Sequence, residues 1–380
     1  MPQLEDSIVI GIDADMSSAS AHSGESIRRG VMVAVDEINE SGGLFGRPLE
    51  IVVRDHRGNP ARGIDNINEL ACIDNLVAIV GGIHTPVALE ELDAIHDNEV
   101  IYLGPWAAGT PLTSNGRNPN FVFRVSVRDE YAGEFLVSAA LDRDLDKIGL
   151  LLERTGWGRS NHTAMTQALN SRGLKPIAVE WFHWGEPHLA NQVNALLDAG
   201  CETVLLVCNP LEGVAAVQAM AEIPSARRVP IVSHWGLTGG KLPELAANSL
   251  RKVDLVFLQT YSFINPPRPE RAAEVLERYQ KLFPECASAR EVFAPVGTAH
   301  AYELVHMLAA AVRSCGSLDR QEVRRSLEAI QDFDGLIRHY ERPFQPELHD
   351  ALTIDDFHLA RFDEEGVIVV DDSEYGVEQP

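Results

Sequence analysis

The sequence predicts an α/β protein built on parallel sheets, on three observations. Short apolar segments alternate with amphipathic ones along most of the chain, the pattern of strands joined by crossover helices. The front of the chain holds a complete strand–helix–strand unit. At 380 residues the chain also exceeds the size at which one hydrophobic core stops growing, so two lobes are expected.

In the opening unit, Ile8 to Ile12 reads as a strand. Ile27, Val31, Ala34, Val35 and Ile38 then recur at three- and four-residue spacing, which lines them along one helix face that must be buried. Ser23 is the expected N-cap and Gly42-Gly43 the left-handed termination. After Gly46-Arg47-Pro48, Leu49, Ile51 and Val53 alternate with Glu50, Val52 and Arg54, the period-two signature of a strand.

Apolar strand candidates follow at Val77 to Val80, Val100 to Leu103, Ile148 to Leu152, Val204 to Val207, Ile231 to Val232 and Val253 to Leu258. The helix candidates between them are Thr85 to His96, Glu130 to Leu141, Asn161 to Ser171, Leu189 to Ala199, Leu211 to Ala221 and Arg271 to Phe283. Near Arg290 the rhythm changes to helices, Val296 to Arg313 and Asp319 to Ile330, before strand-like pieces at Leu336 to Arg338 and Thr353 to Phe362.

Composition narrows the partners. With 45% hydrophobic residues the chain can build compact cores, and its net charge of -24 opposes binding to nucleic acid or an anionic membrane. No apolar run approaches the roughly 18 residues of a spanning helix, so no membrane insertion is expected. The start MPQLEDSIVIG lacks the basic and apolar regions of a secretory signal. The cysteines Cys72, Cys201, Cys208, Cys286 and Cys315 are scattered and read as buried thiols. Cys201 and Cys208 flank a strand-like segment that would hold them too far apart to bond.

The pattern G-x-x-x-A-V-D-E-I-N-x-x-G-G-x-x-G-R-P-L-E from Gly30 to Glu50, followed by Asp55 and Asn59-Pro60, resembles the first helix and second strand of the type I periplasmic binding proteins, specifically the branched-chain amino-acid binding family of ABC transporters. Val80-Gly81-Gly82, Gly104-Pro105, Thr110-Pro111-Leu112-Thr113 and the aromatic-glycine pair Trp157-Gly158 extend the resemblance over nearly the whole chain. It implies two doubly wound parallel-sheet lobes joined by a three-crossover hinge, with crossings near Val125, Gln259 and Ile337. Lobe 1 is then 1–125 and 260–337, and lobe 2 is 126–259 and 338–380. The resemblance further implies a ligand in the cleft between the lobes, and closure about the hinge as the functional motion.

Position suggests which residues grip. In open α/β sheets ligands sit at the carboxyl ends of strands, where helix N-termini aim amides outward. Gly81 to Pro86 occupies such a place: amides near His84 and Thr85, with the Thr85 hydroxyl, suit a ligand carboxylate, unless Thr85 as the N-cap only caps its own helix. Trp106, Ala107, Ala108 and Thr110 follow the next strand; the small residues admit a ligand to the backbone, while Trp106 is either a pocket wall or a plug. Trp157 matches the family's aromatic residue on the second lobe. Asn209, His234 and Trp235, beyond later strand candidates, complete the expected ligand-binding set.

One departure from the family stands out. Members commonly place an acidic residue, in a Pro-Glu-Gly-like turn, against the ligand ammonium, and this chain has Ser233-His234-Trp235-Gly236. Asp13, Asp15 and Glu212 are the carboxylates nearest predicted strand ends; alternatively carbonyls, Ser233 and the faces of Trp157 or Trp235 receive the positive group. The disulfide loop that many members carry near Asp55 is also missing.

Catalytic patterns are absent. Gly11-Ile12-Asp13-Ala14-Asp15 lacks the later glycines of a dinucleotide turn, Gly239-Gly240-Lys241 lacks the hydroxyl residue of a phosphate loop, and no Gly-x-Ser-x-Gly elbow occurs. His183, Glu186 and His188, or His300, Glu303 and His306, have no recognised metal spacing. The expectation is a non-enzymatic solute-binding receptor without cofactor or metal. It would capture a small amino acid or related carboxylate and deliver it to an ABC permease, in the periplasm or outside the cell. The alternative is a ligand sensor of the same fold, similar to the cytoplasmic amide-responsive regulators.

Overall fold

A computed structural model describes residues 7–371. The chain divides into two compact units, the first made of residues 7–128 with Pro266–Thr353, the second of Asp129–Asn265 with 354–371.

In chain order the first stretch runs β1 (Ile8–Ala14), α1 (Ala21–Glu40), β2 (Leu49–Asp55), α2 (Pro60–Ala71), β3 (Leu76–Val80), α3 (Thr85–Asp97), β4 (Ile101–Gly104), α4 (Thr110–Thr113) and β5 (Val122–Arg124). The second holds α5 (Asp129–Asp142), β6 (Ile148–Glu153), α6 (Gly156–Ser171), β7 (Ala178–Phe182), α7 (Ala190–Asp198), β8 (Thr203–Val207), α8 (Pro210–Glu222), β9 (Ile231–Ser233), α9 (Leu242–Leu250) and β10 (Leu255–Gln259). The chain then returns to the first unit with α10 (Pro269–Leu282), α11 (Pro295–Cys315), α12 (Arg320–Glu328), β11 (Phe333–Asp334) and β12 (His339–Tyr340), and ends in the second with β13 (His358–Phe362) and β14 (Ile368–Val370).

The first unit's sheet is wholly parallel in the order β2-β1-β3-β4-β5. Its middle strands are the most apolar: β1, β3 and β4 are buried along their whole length, whereas β2, at the edge, is partly exposed and alternates. The second unit's sheet runs β14-β13-β10-β9-β8-β6-β7, parallel except where β13 and β14 return antiparallel. Both are α/β sheets of the doubly wound kind, as the alternation of apolar and amphipathic segments predicts.

Several details differ from expectation for local reasons. Helix α1 begins three residues earlier than a Ser23 cap requires, with Ser20 in the cap position and no side-chain cap bond. Leu336 to Arg338 is not a strand; it connects β11 to β12, and Glu303 of α11 accepts the amides of Leu336 and Ile337 at 2.6 and 3.1 Å. Residues 338–353, expected beyond the last crossing, belong to the first unit, where His349 and Ala351 exchange backbone hydrogen bonds with Arg124 at 2.8 and 2.9 Å. The last crossing therefore falls after Thr353 rather than near Ile337. Asn59 caps α2, accepting from the amides of Ala61 and Arg62 with Pro60 at the first position, a helix not predicted from periodicity. All five cysteines are free.

Two features of the first unit's core govern its stability. Helix α1 crosses α11 at Gly30, where a Cβ would lie 2.2 Å from the Thr298 carbonyl oxygen. The close approach needs glycine. Behind β1, Asp13 and Glu91 are both buried; Asp13 accepts from Asn66 Nδ2 at 2.7 Å. Burial pushes the Glu91 carboxyl up to about 7, and burial together with the Glu91 charge raises Asp13. Each fold-state carboxyl prefers its proton.

Gly30→Ala should force the two helices apart and cost about 1–3 kcal/mol by urea unfolding. A carboxyl raised in the fold contributes stability that is complete below its ordinary value of 4.5 and lost as pH rises through about 7. Unfolding at pH 5 and pH 8 should therefore show wild type losing more stability across that window than Glu91→Gln, which has no proton to release.

Candidate ligand-recognition site

In the first unit, the segments leaving β3 and β4 lie side by side at the carboxyl edge of the sheet. Thr85 is the first residue of α3, and the cap position belongs to His84, which makes no side-chain cap bond. The expected capping role of Thr85 is thus replaced by another. Its hydroxyl oxygen accepts from the Gly109 amide at 3.1 Å, joining the two segments. Gly109 is required there, since a Cβ would fall 2.4 Å from Thr85 Cγ2. With its oxygen engaged in this way, the Thr85 O–H and its backbone N–H make no hydrogen bond among the described residues.

The loop Trp106–Thr110 is held from behind through its carbonyls. Ser126 Oγ donates to Trp106 O at 2.8 Å, and Arg124 Nη1 donates to Ala107 O at 3.2 Å and Gly109 O at 2.9 Å. A planar trans peptide sets the next N–H opposite to its carbonyl. The amides of Ala107 and Ala108 are therefore aimed away from Ser126 and Arg124, and neither makes a hydrogen bond among the described residues. The Trp106 ring packs against Gly297 at the start of α11, inside the unit. His84, Thr85, Trp106, Ala107 and Ala108 are buried, and Thr110 begins α4.

Asp15 and His84 close the floor of this face. His84 Nε2 lies 3.3 Å from Asp15 Oδ2, and the Ser18 amide and hydroxyl also donate to the same carboxylate. Burial would raise the Asp15 carboxyl, but these donors outweigh it and hold it well below the ordinary range. His56, 5.9 Å from His84 between ring centres, is pushed down to about 3 by burial and by its neighbour.

In the second unit, Trp157, His234 and Trp235 come together. Trp157, on the first turn of α6, meets His234 edge to face at 5.1 Å, and His234 meets Trp235 at 6.1 Å. His234 is placed by its amide, which donates to Leu206 O at 2.9 Å. The residue that binds this group together is Asp129, at the start of α5. Its Oδ1 accepts from Trp157 Nε1 at 3.2 Å and lies 3.3 Å from His234 Nε2. Asp129 Oδ2 and His234 Nδ1, both fully buried, have no hydrogen-bond partner among the described residues.

Asn209 stands in a different cluster. Its Nδ2 donates to Glu153 Oε2 at 2.6 Å, and Thr155 Oγ1 donates to Glu153 Oε1 at 2.8 Å. Burial, with the nearby Glu212 charge, pushes Glu153 up to about 7. Glu212 itself accepts from the Gly185 amide.

Of the carboxylates named as ammonium partners, Asp15 is held by Ser18 and lies against His84, Asp13 accepts from Asn66 at Oδ1, and Glu212 accepts from the Gly185 amide at Oε1. Asp129 was missed by the sequence reading, because it follows a crossing rather than a predicted strand. The available signal was an acidic residue opening the helix candidate at Glu130. No group of three or more His, Cys, Asp and Glu is arranged to hold a metal among the described residues. Nor is any described helix long and apolar enough to cross a membrane.

Comparison with known proteins places this geometry in a family. The family model described as "Periplasmic binding protein" matches residues 7–366. The Leu/Ile/Val-binding protein homolog 1 of Brucella abortus is 24% identical over 345 residues, covering 90% of this chain and 88% of the relative. Among solved structures, a periplasmic binding protein type 1 from Bordetella pertussis Tohama I superposes with a TM-score of 0.86 at 21% identity, over 96% of this chain and 100% of that one. A solute binding protein of an ABC transporter from Rhodopseudomonas palustris HaA2, in complex with p-hydroxybenzoic acid, gives 0.82 at 17% identity, over 96% and 95%. The chain belongs to the periplasmic binding protein family.

Proposed function

We propose that this chain is a receptor for a small carboxylate, either a hydrophobic amino acid or an aromatic acid, which it delivers to an ABC permease in the periplasm or outside the cell. The observation that carries this reading is the set of unclaimed donors in the first unit. The Thr85 O–H and N–H and the amides of Ala107 and Ala108 are all short of an acceptor, and they lie on two segments tied by the Gly109–Thr85 bond. Buried donors without acceptors are costly, and an anion at a helix N-terminus relieves that cost. His84, Trp106 and Thr110 complete this face, with the Trp106 ring shaping it from inside.

The second unit carries a separate group suited to recognition. Trp157, His234 and Trp235 offer aromatic surface, and Asp129 offers a carboxylate oxygen with room for one more donor. An ammonium or a phenolic hydroxyl can each donate to that oxygen, the ammonium more strongly. Asn209 acts from a distance, by fixing Glu153. The names of the relatives support both ligand types: the Brucella protein is called Leu/Ile/Val-binding, and the Rhodopseudomonas protein holds p-hydroxybenzoic acid.

A thermal-shift panel of L-amino acids, aromatic acids, their amides and sugars tests the class. A ligand at a hundredfold excess over its dissociation constant adds about 2.7 kcal/mol to stability. A shift with amino or aromatic acids is expected; a shift with sugars alone would reject the reading.

Two substitutions divide the roles, measured by calorimetry with the acid that shifts melting. Thr85→Ala should cost about 1.5–3 kcal/mol with that acid and much less with its amide. Asp129→Asn should weaken L-isoleucine by about 3 kcal/mol while barely changing 3-methylpentanoic acid, if an ammonium is read there. An aromatic acid would instead lose only the share of its hydroxyl, about 1 kcal/mol.

A further inference from the structure

Arg124 is a buried guanidinium with four acceptors in three different parts of the first unit. Nε donates to Asp350 Oδ1 at 2.6 Å, Nη1 to the carbonyls of Ala107 and Gly109, and Nη2 to Thr113 Oγ1 at 3.2 Å. Asp350 is equally committed, accepting at Oδ2 from Thr113 Oγ1 and Arg128 Nη1, each at 2.9 Å. The main chain repeats the connection, since Arg124 N donates to His349 O and Ala351 N to Arg124 O. The His349 ring stacks on Phe123 at 4.0 Å and its Nδ1 lies 2.8 Å from Val122 O.

The positions of these residues along the chain give the cluster its meaning. Arg124 and Arg128 lie in the last residues before the chain leaves the first unit at Asp129, and Asp350 lies just before it leaves again at Ile354. One planar fork therefore touches the loop whose amides are unclaimed and both of these exits. A buried ion pair is no stabiliser for its own sake, because apolar residues of like volume do as well or better. What only a guanidinium does is hold several acceptors in a fixed plane. The two cations against one carboxylate also leave positive charge behind the loop's carbonyls.

We propose, resting on the carboxylate-receptor reading above, that Arg124 with Asp350 is a positioning element for anion recognition. It holds the Ala107 and Gly109 carbonyls inward so that the loop's amides face the ligand, and it ties that loop to the segments through which the chain passes to the second unit. Arg124 touches no ligand in this role. Lysine keeps the charge and loses the fork; Asp350→Asn keeps the shape and loses the charge that orients the fork.

The test has two arms, on the full chain and with Arg124→Lys and Asp350→Asn beside wild type. The first needs no ligand: hydrogen exchange followed by mass spectrometry on peptides spanning 104–114, where the Gly109 and Leu112 amides report the loop's hydrogen bonds. Exchange there and in 125–128 and 349–353 should rise about tenfold or more in both variants, with β1, β3 and the second unit unchanged. Unchanged exchange in the loop, or a loss of protection spread evenly over β1 and β3, would overturn the proposal, since Arg124 would then be idle or a general prop of the fold.

The second arm uses calorimetry with L-isoleucine and isoleucinamide, and with 4-hydroxybenzoate and 4-hydroxybenzamide. The acid that binds wild type should weaken at least thirtyfold in Arg124→Lys and the matching amide less than threefold; equal weakening of both overturns the proposal. Binding of neither acid by wild type would count against the carboxylate reading alone, and the exchange arm would still decide the role of Arg124.

Discussion

A peptide unit is rigid, so a carbonyl gripped from one side aims the following amide toward the other. The recognition face of the first unit depends on this constraint. Ser126 and Arg124 hold the carbonyls of Trp106, Ala107 and Gly109, and the amides of Ala107 and Ala108 follow without any side chain of their own to direct them. Alanine at these positions leaves the backbone amides free of side-chain bulk. The Gly109 amide is spent on Thr85, which joins the β4 loop to α3 and occupies the threonine hydroxyl as an acceptor while leaving its O–H to donate.

The second unit is organised by an opposite electrostatic logic. Its polar anchor is an acceptor, Asp129, whose Oδ1 takes the indole N–H of Trp157 and lies 3.3 Å from His234 Nε2. That bond fixes the carboxylate's orientation beside three aromatic rings, while leaving Oδ2 with lone pairs to offer.

Much of the architecture was legible in the sequence, because it is written in local patterns. Ile8 to Ile12 and Val77 to Val80 are continuous apolar runs and form buried middle strands; Ile27, Val31 and Ile38 lie on the buried face of α1. Where patterns are weak, the reading missed elements: β5 has three residues, β7 is only partly buried, and α2 shows just three buried positions. The site was legible by position and illegible by partnership. Thr85, Ala107 and Trp157 follow strands and could be named; the bond from Gly109 to Thr85 spans 24 residues and the Arg124–Asp350 pair spans 226. No periodicity carries such distances. Placing Asp350 with lobe 2 failed for the same reason, since nothing near Ile337 in the sequence shows that the next segment pairs with Arg124.

The Ser233-His234-Trp235-Gly236 segment acquires a physical sense from Asp129. The family resemblance leads one to expect an acid in this turn; the turn here holds none, and its His234 lies 3.3 Å from an acid brought from α5. A carboxylate introduced at 234 would stand within a few ångströms of Asp129 in a buried setting, where two like charges raise one carboxyl strongly and one of them keeps its proton. Histidine avoids that conflict. Its ring instead meets Trp157 edge to face at 5.1 Å, so the turn and α6 pack against Asp129 without a second buried carboxylate.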